Sequence, residues 1–271
     1  MLAYTRDESV GEPFTAMSQT APSNSFERAF VVLELVSKCP GGLTNAEIAR
    51  RLNIASSSCS YILSRLEKFG YLKRDDQTGR YEIGLQVLSL AHSVLRDIGL
   101  REAAEPVLYR LMTETGLSSL IAVLGRGRAV LVEKVEGPEL TLQKLDIDVG
   151  AKLPIHATAV GKVFLAYLPE AERLRIIRQY GLKRLSPRTH VSEGRLMREL
   201  EQVRYQGFAV NDEENFTGFR AVAAPVRNGS GELCAGISVA GRTCQSAWDV
   251  FPSITAAVRA AARDISKRAY C

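Results

Sequence analysis

The sequence predicts an α+β protein in which a small N-terminal domain and a larger C-terminal domain are joined by a helix. Two short capped helical patterns run into a two-stranded hairpin before residue 85, one apolar stripe follows, and helical and strand patterns alternate from residue 101 onward. A chain of 271 residues is long enough for two separate cores. The predicted divisions are a mobile tail at 1–24, an N-terminal domain at 25–84, a linker helix at 85–100 and a C-terminal domain at 101–271.

The N-terminal domain is predicted to begin with a helix that braces the two that follow. The residues before it mix Ser, Thr, Pro and charged side chains without periodicity, which is typical of a mobile tail. Asn24 with Glu27 three residues later predicts the N-terminal cap. Apolar positions between Phe30 and Val36 support the helix, which ends before the Cys-Pro-Gly-Gly sequence at 39–42.

Two further helices are predicted between residues 44 and 70. Thr44 followed by Glu47 has the spacing of a capping box, in which the hydroxyl and the carboxylate satisfy backbone donors at the helix start. The second helix starts after a turn at 53–55, within the serines at 56–58, and stops at Gly70. Its inward face is predicted to consist of Cys59, Ile62, Leu63, Leu66 and Phe69.

A basic hairpin follows the second helix. Residues 71–74 and 80–83 have strand patterns, and Asp75, Asp76 and Gly79 are among the turn residues between them. The order of two helices and a basic hairpin is typical of a winged helix-turn-helix.

The second helix has the composition of a DNA recognition helix. It offers short polar side chains at its N-terminal end, which suits a helix lying in a major groove about 12 Å wide. Hydroxyls, helix-start amides and the cations of the wing suit phosphate oxygens. A helix hairpin that binds another protein is the alternative, and the motif order together with the basic wing favours double-stranded DNA. The predicted DNA-binding residues are Thr44, Ser56, Ser57, Ser58, Ser60, Tyr61, Ser64, Arg65, Lys73, Arg74 and Arg80.

The linker helix carries a single apolar stripe. Leu85, Leu88, Ala91, Leu95 and Ile98 recur at three and four residues, so they lie on one face. An apolar stripe needs a partner, which is either its own domain or a second copy of the chain.

The C-terminal domain is predicted to be an antiparallel sheet with helices packed against it, a common way to hold a small ligand. Its first helix contains Pro106, which starts or kinks it, and ends near Gly116. Turns at 125–128 and 228–231 join neighbouring strands. The predicted strands are 117–124, 129–135, 140–145, 207–210, 219–226 and 233–240, and the predicted helices lie within 155–167 and at 172–180, 195–205 and 246–268.

Composition limits the class of protein. A formal net charge of +5 and a pI near 9.0 lean towards an anionic partner such as nucleic acid. Five cysteines are scattered without a CxxC pair, so we expect reduced thiols. No apolar run reaches about 18 residues, and Arg6, Asp7 and Glu8 stand where a signal peptide is apolar. We therefore expect a cytoplasmic protein with no membrane partner.

No catalytic site is predicted. The carboxylates of Asp212, Glu213 and Glu214 could serve acid-base chemistry or a metal, but no HExxH, GxSxG or phosphate-binding Gly-Lys-Ser/Thr loop accompanies them. The three histidines lie far apart in the sequence, and His156 is interpreted as a structural hydrogen-bonding residue at a helix start. We expect a protein that is not an enzyme and has no metal or cofactor; a metal bound by His156 and an acid is the less favoured alternative.

From about Ser25 to its C-terminus, the chain resembles the IclR family of bacterial transcriptional regulators. The resemblance rests on the winged helix, on the loop-to-helix segment GAKLPIHATAVGK at 150–162, and on the segments GFAVNDEE at 207–214 and GFRAVAAP at 218–225. It implies a GAF-like effector-binding domain, assembly into a homodimer or homotetramer, and operator binding that a small, often acidic metabolite modulates.

The resemblance also implies an effector pocket. Its parts would be the start of the helix after 158, two strands that contribute polar and small side chains, and an apolar wall. Free amides at the helix start could receive a carboxylate. The implied ligand-binding residues are Leu142, Leu145, Leu153, Ala159, Val160, Asn211, Phe219, Ala221, Ser238 and Ala240. Plain core packing is the alternative for each Ala, Leu or Val.

Several positions depart from the family pattern. Ala221 stands where many relatives carry Cys or Ser, Ala240 where some have Ser, and Asn211 replaces a common acid. These changes predict a larger or less polar ligand, such as an aromatic or branched acid, in place of a two- or three-carbon oxoacid. Tyr61 stands where Arg is frequent, which favours Tyr or Ser contacts over bidentate readout of guanine.

Three functions follow from the sequence. The leading one is a ligand-responsive regulator, repressor or activator, whose dimer places two recognition helices about 34 Å apart, or a multiple of that, on a pseudo-palindromic operator. The first alternative is an architectural DNA-binding protein without an effector. The second is an enzyme that uses the C-terminal domain.

Overall fold

The structure is a computed structural model, and it describes residues 24–91, 100–139, 141–145 and 147–268. The chain splits into two compact units, Met1–Val94 and Leu95–Cys271, which are treated separately below as the N-terminal and the C-terminal unit. The division falls inside the predicted linker helix. The predicted tail lies outside the described residues except for Asn24.

The N-terminal unit is a winged helix-turn-helix. Its three short strands form an antiparallel sheet in the order β1-β3-β2, in which Leu43 pairs with Tyr81 and Lys73 with Glu82. The two-residue strand β1 was not predicted because it is too short to show an alternating pattern. The elements are α1 (Ser25–Ser37), β1 (Leu43–Thr44), α2 (Asn45–Leu52), α3 (Ser56–Lys68), β2 (Leu72–Arg74), β3 (Arg80–Ile83) and the helical residues 86–91, labelled α4.

Local signals set the helix ends in this unit. The side chain of Asn24 accepts a hydrogen bond from the Glu27 amide at 2.9 Å and caps α1. Both halves of the predicted capping box are formed at α2, which ends at Asn53 in the left-handed conformation with φ 52°. These contacts confirm the predicted starts of α1 and α2.

The core of the N-terminal unit joins α1, α2 and α3 to the sheet. It includes Val32 of α1, Ile48 of α2 and Leu63 of α3. One member of the predicted inward face of α3 is wrong. Phe69 is 62% exposed because α3 ends at Lys68 and the chain turns away through Gly70 before that ring could reach the core.

The C-terminal unit is a six-stranded antiparallel sheet with helices on both faces. The strand order is β6-β5-β4-β9-β8-β7. The elements are α5 (Leu100–Thr115), β4 (Ser118–Gly125), β5 (Arg128–Val135), α6 (Thr141–Lys144), β6 (Lys152–Leu153), α7 (Ala159–Tyr167), α8 (Glu170–Tyr180), α9 (Glu193–Gln206), β7 (Ala209–Asp212), β8 (Phe219–Arg227), β9 (Leu233–Arg242), a 3-10 turn (Ser246–Val250) and α10 (Phe251–Arg268).

The strands of this sheet send alternate residues into two cores. On β8, Val222 and Ala224 pack with α5 and α10, whereas Ala223 packs on the opposite face with α7 and α9. The second face also holds Val160 and Phe164 of α7. The cavity described below opens on this second face.

One predicted strand of the C-terminal unit is wrong, and one of two alternatives for Pro106 is excluded. The segment 140–145 was predicted to be a strand, but Thr141–Lys144 forms the one-turn helix α6, and β6 is the strand that pairs with β5. The spacing of Leu142 and Leu145 by three residues suits a helix as well as the apolar-polar alternation suits a strand. Pro106 does not start α5, which is already helical at Leu100 and contains it; a kink at Pro106 stays a prediction.

Other elements differ from the predictions only at their ends. The strand predicted from residue 207 begins at Ala209, since Gly207 caps α9 in the left-handed conformation with φ 76°. The helix predicted over 246–268 opens with the 3-10 turn before α10 begins. On the linker stripe, Leu85 is 84% exposed, while Leu95 and Ile98 lie outside the described residues; its partner stays a prediction.

Candidate DNA-binding surface and effector cavity

One face of α3 is polar and open to solvent, as the sequence predicted. Cys59, Ile62 and Leu63 are buried under it. Tyr61 is 57% exposed, and the guanidinium of Arg65 lies 5.5 Å from the centre of its ring. The exposed predicted residues of α3 are Ser56, Ser57, Ser60, Tyr61, Ser64 and Arg65, and Ser58 is half-buried.

The start of α3 lacks a side-chain cap. Its N-cap residue is Ala55, whose methyl group cannot accept a hydrogen bond from the first-turn amides. The side-chain amide of Asn45 donates to Ser56 Oγ at 3.2 Å and so fixes the first residue of the helix. The positive end of α3 therefore carries amide donors that suit an anion.

The wing contributes two exposed cations. Lys73 and Arg74 extend from β2, and the Arg74 guanidinium lies 5.9 Å from the ring centre of Tyr81. The turn that follows is held by Asp75, whose Oδ1 accepts hydrogen bonds from the amides of Gln77 and Thr78 at 2.8 Å. These hydrogen bonds lower the pKa of Asp75.

Thr44 and Arg80, which were also predicted to bind DNA, have partners inside the unit. Thr44 Oγ1 accepts from the Glu47 amide at 3.3 Å. Arg80 forms an ion pair with Glu47 at 3.2 Å and donates to the Gly42 carbonyl at 2.9 Å. Hydrogen bonds from the Thr44 backbone and hydroxyl, and then the charge of Arg80, lower the pKa of Glu47. Both residues thus stabilise the motif, and a contact with DNA stays a prediction for each.

All ten residues predicted to bind a ligand line one cavity of the C-terminal unit. The cavity itself has a volume of about 50 Å³, and the wider space of about 470 Å³ around it includes open solvent. It lies between the start of α7, the helix α6 and strands β7, β8 and β9. The predicted residues in its wall are Leu142, Leu145, Leu153, Ala159, Val160, Asn211, Phe219, Ala221, Ser238 and Ala240.

The start of α7 gives the cavity its electropositive end. Thr158 caps the helix: its Oγ1 accepts from the Gly161 amide at 3.2 Å and donates to the Pro154 carbonyl at 2.7 Å. Ala159 and Val160 form the first turn at the cavity wall. Gly161 is required here, because a Cβ at this position would lie 2.3 Å from the Ile155 carbonyl oxygen.

Few polar side chains reach the cavity, and Ser238 and Asn211 already form hydrogen bonds with the backbone of the unit. Ser238 Oγ donates to the Val222 carbonyl at 2.8 Å, so its remaining capacity is that of an acceptor. Asn211 Oδ1 accepts from the Glu214 amide at 2.9 Å and from the Asn215 amide at 3.4 Å. The side-chain amide nitrogen is therefore the group that Asn211 offers to a ligand as a donor.

The structure adds wall residues that the sequence reasoning missed. Leu120 could have been found from strand alternation, because it faces the same core as Ala122. Phe216 belongs to an irregular turn with no pattern to read. Arg220 is charged, but its guanidinium binds Asp212 at 2.7 Å and lies 5.7 Å from the Trp248 ring centre. The additional wall residues are Leu120, Ile147, Thr158, Asn215, Phe216 and Arg220.

The acidic residues considered for catalysis are engaged in ion pairs and backbone hydrogen bonds. Asp212 pairs with Arg188 and Arg220, and Glu213 accepts from the Gly218 amide at 2.7 Å. Glu214 points to the buried Lys162, whose Nζ lies 2.6 Å from its Oε1. Burial raises the pKa of Glu214 and outweighs the attraction of Lys162.

His156 has the structural contact expected of it. Its Nε2 lies 2.9 Å from the Lys183 carbonyl oxygen, and burial lowers its pKa. Among the described residues, the side chains that come together as a possible metal-ligand set do not include His156. Among the residues that the structure describes, no helix is long and apolar enough to cross a membrane.

Comparisons with known proteins cover both units. The family model for the bacterial transcriptional regulator IclR C-terminal domain matches residues 92–267, and that for the IclR helix-turn-helix domain matches residues 25–76. The chain is 33% identical to the HTH-type transcriptional regulator XynR of Escherichia coli over 79% of this chain and 84% of that protein. It is 30% identical to the E. coli repressor AllR over 90% and 89% of the two chains.

A solved structure shows the same fold. An IclR homologue from Microbacterium hydrocarbonoxydans, complexed with 4-hydroxybenzoate, superimposes with a TM-score of 0.79 over 90% of this chain and 98% of that one. The two sequences are 23% identical.

Proposed function

The chain belongs to the IclR family of bacterial transcriptional regulators, and we propose that it binds a specific operator through α3 and the wing under the control of a small molecule held in the C-terminal cavity. The observation that carries the proposal is the polar, exposed face of α3 above a buried apolar one. A regulator of this kind acts on chromosomal DNA, which supports the prediction of a cytoplasmic protein. The lack of catalytic motifs in the sequence supports the prediction that it is not an enzyme.

The DNA contacts divide into two kinds. The serines and Tyr61 at the start of α3 would enter the major groove and meet base edges, since a recognition helix reads bases with its N-terminal residues. The uncapped amides of α3, together with Lys73 and Arg74, would meet phosphates and set the register. Arg80 contributes less than its charge suggests, because Glu47 already neutralises it.

Two variants separate these roles. Replacing Lys73 and Arg74 with Ala should weaken binding to all DNA sequences and reduce the slope of log K against log salt by about 0.9 per lost phosphate contact. Replacing Tyr61 with Ala should change base preference with little effect on that slope. A double variant with Lys267 and Arg268, exposed at the end of α10, changed to Ala controls for the loss of charge. Equal effects of the two changes on slope and preference would refute this division.

The operator can be found directly. Genomic fragments of the source organism are selected on the full-length protein at physiological salt, without added ligand. A palindromic motif with half-sites about 34 Å apart, or a multiple, is the expected result for a dimer. Binding without a motif that no ligand alters would favour the architectural alternative, and turnover of a metabolite without DNA affinity would favour the enzyme.

The cavity supports a carboxylic acid with an apolar body as the ligand. Amides at the start of α7 would receive the carboxylate, and Asn211 and Ser238 would orient a further polar group. Leu142, Leu153 and Phe219 would cover the apolar part. Aromatic and branched acids match the apolar character of this wall, whereas a two-carbon oxoacid would leave it uncovered.

Calorimetry tests the ligand class. The acids are 4-hydroxybenzoate, which the Microbacterium homologue binds, an aliphatic branched acid, and glyoxylate as the small polar comparison. We expect heat only with the apolar acids, and addition of a bound acid should change operator affinity. A ligand shifts the DNA-binding equilibrium only through unequal affinity for its two states. Submillimolar binding of glyoxylate would refute the ligand class.

We also propose that the regulator is a dimer or a tetramer. The exposed side chains of Leu85 and Leu88 on the linker stripe support an apolar contact with a second copy. Sedimentation at several protein concentrations measures the number of chains in the assembly. Changing Leu85 and Leu88 to Ser should weaken the association and shift the protein towards monomers. An unchanged assembly would place the interface elsewhere.

A further inference from the structure

A second polar cluster of the C-terminal unit is separate from the wall of the effector cavity. It consists of His190 in the loop before α9, Glu199 on α9, Glu214 after β7 and Lys162 on α7. His190 and Glu199 also line an open cleft, so solvent reaches the cluster. Neither the DNA contacts nor the effector contacts proposed above use these four side chains.

The two carboxylates of the cluster are arranged in the same way. Each directs its Oε1 at Lys162 Nζ, at 2.5 Å for Glu199 and 2.6 Å for Glu214. Each directs its Oε2 at His190 Nε2, at 3.2 Å and 3.8 Å. Lys162, which is 0% exposed, therefore holds both carboxylates from one side, and their other oxygens converge with the imidazole on the opposite side.

The converging oxygens are buried, and no hydrogen bond of good geometry reaches them. Within the described part of the chain, the Oε2 atoms of Glu199 and Glu214 are among the few buried side-chain oxygens with no hydrogen bond. The Glu214 side chain is only 6% exposed. Leaving such acceptors without a partner is costly, and a pair of them on one site suits the binding of a cation.

Distance and charge both suit a divalent ion. One ligand atom from each of His190, Glu199 and Glu214 lies within 4.8 Å of the other two. Tetrahedral zinc with bonds of about 2.0–2.2 Å places neighbouring ligand atoms roughly 3.3–3.6 Å apart, so a small side-chain movement completes the set. Lys162 balances one of the two carboxylate charges and leaves the other on the side that faces His190.

We propose that His190, Glu199 and Glu214 bind one divalent transition-metal ion, for which zinc is the best match, with solvent in the remaining position. One imidazole nitrogen and two carboxylate oxygens are ligands that zinc accepts, and magnesium or calcium would favour oxygen alone. Lys162 acts behind the carboxylates and orients them. Arg195 and Arg198 line the same cleft and repel a cation, so the site is weaker than a closed structural zinc site.

Metal titration of the full-length protein tests the proposal. Metal-free protein is titrated with Zn²⁺ against a chelating dye, and with Co²⁺ as a spectroscopic probe that reveals thiolate ligands by their charge-transfer bands. One ion per chain without thiolate bands is expected. His190→Ala and Glu199→Gln should each lower the affinity at least tenfold, and since His190 is one-third exposed, its loss should spare the core.

A matched histidine variant and two contrary outcomes complete the test. His92→Ala removes another histidine of the chain and should leave the affinity unchanged. Wild-type protein that binds neither ion would show that the cluster is a network of ion pairs without a metal. Equal affinity of wild type and His190→Ala would place the metal elsewhere. Operator binding by metal-free protein does not bear on either result, so this inference and the proposed function fail separately.

Discussion

Replacing Lys162 with Met tests how much of the stability of the C-terminal unit depends on a buried charge. The ammonium group is fully buried and lies within 2.6 Å of two carboxylates, of which Glu214 is itself buried. Met fills nearly the same volume without the charge. The substitution therefore leaves the two carboxylates facing each other without compensation.

The expected cost is large for a single residue. Removing one partner of a buried ion pair costs about 3–5 kcal/mol, because the remaining charge stays buried and unpaired, whereas an exposed pair contributes about 0–1 kcal/mol. For a unit of this size, a loss of 3–5 kcal/mol corresponds to a lowering of Tm by about 10 °C. The partial exposure of Glu199 places the expected value near the lower end.

Thermal and urea unfolding of the full-length variants at neutral pH measure this cost. Lys267→Met, at an exposed position of α10, is the matched control and should change stability by less than about 0.5 kcal/mol. Combining Lys162→Met with Glu214→Gln removes one of the stranded charges and should recover a large part of the loss. A cost below about 1 kcal/mol for Lys162→Met alone would refute the reasoning, since that is the value of a surface pair.

Three further predictions concern the helix starts and the cavity. Glu47 has a lowered pKa in the folded state, so its contribution to the free energy of unfolding is present above its ordinary pKa of 4.5 and is lost as pH falls through the folded pKa. Acid should therefore destabilise the wild type more than Glu47→Gln, and unfolding at several pH values measures the difference. Ala221→Phe should fill the cavity and abolish calorimetric ligand binding while operator affinity remains. Gly161→Ala should lower Tm, because its Cβ would meet the Ile155 carbonyl, whereas Gly229→Ala, whose Cβ would meet nothing within 4 Å, should not.

Much of the N-terminal unit could be predicted because its signals are local. Spacings of three and four residues predict the caps at Asn24 and Thr44 and the polar face of α3. What failed there involved an element end, as with Phe69, or a strand as short as β1. Neither leaves a periodic signal in the sequence.

The C-terminal unit was predictable in outline but not at its long-range contacts. Family resemblance indicated the ten cavity residues, which alternation alone would have left as core. The pairing of Lys162 with Glu199 and Glu214 joins positions 37 and 52 residues apart, and no local pattern announces it. The misread segment around Leu142 shows the same limit, since tertiary packing decided between two patterns that fit equally well.

At Ala55, the N-cap residue of α3, a substitution that raises protein stability is expected to lower the affinity for DNA. The Ala55 backbone, with φ −61° and ψ 138°, already has the extended conformation that a capping Ser or Asp adopts. A capping Ser or Asp at this position would raise the free energy of unfolding of the DNA-free protein by about 1 kcal/mol. It would also occupy the amides that otherwise meet a phosphate, and Asp would repel it. A thermostability screen run without DNA would therefore select substitutions at position 55 that raise the stability of the protein and lower its affinity for DNA.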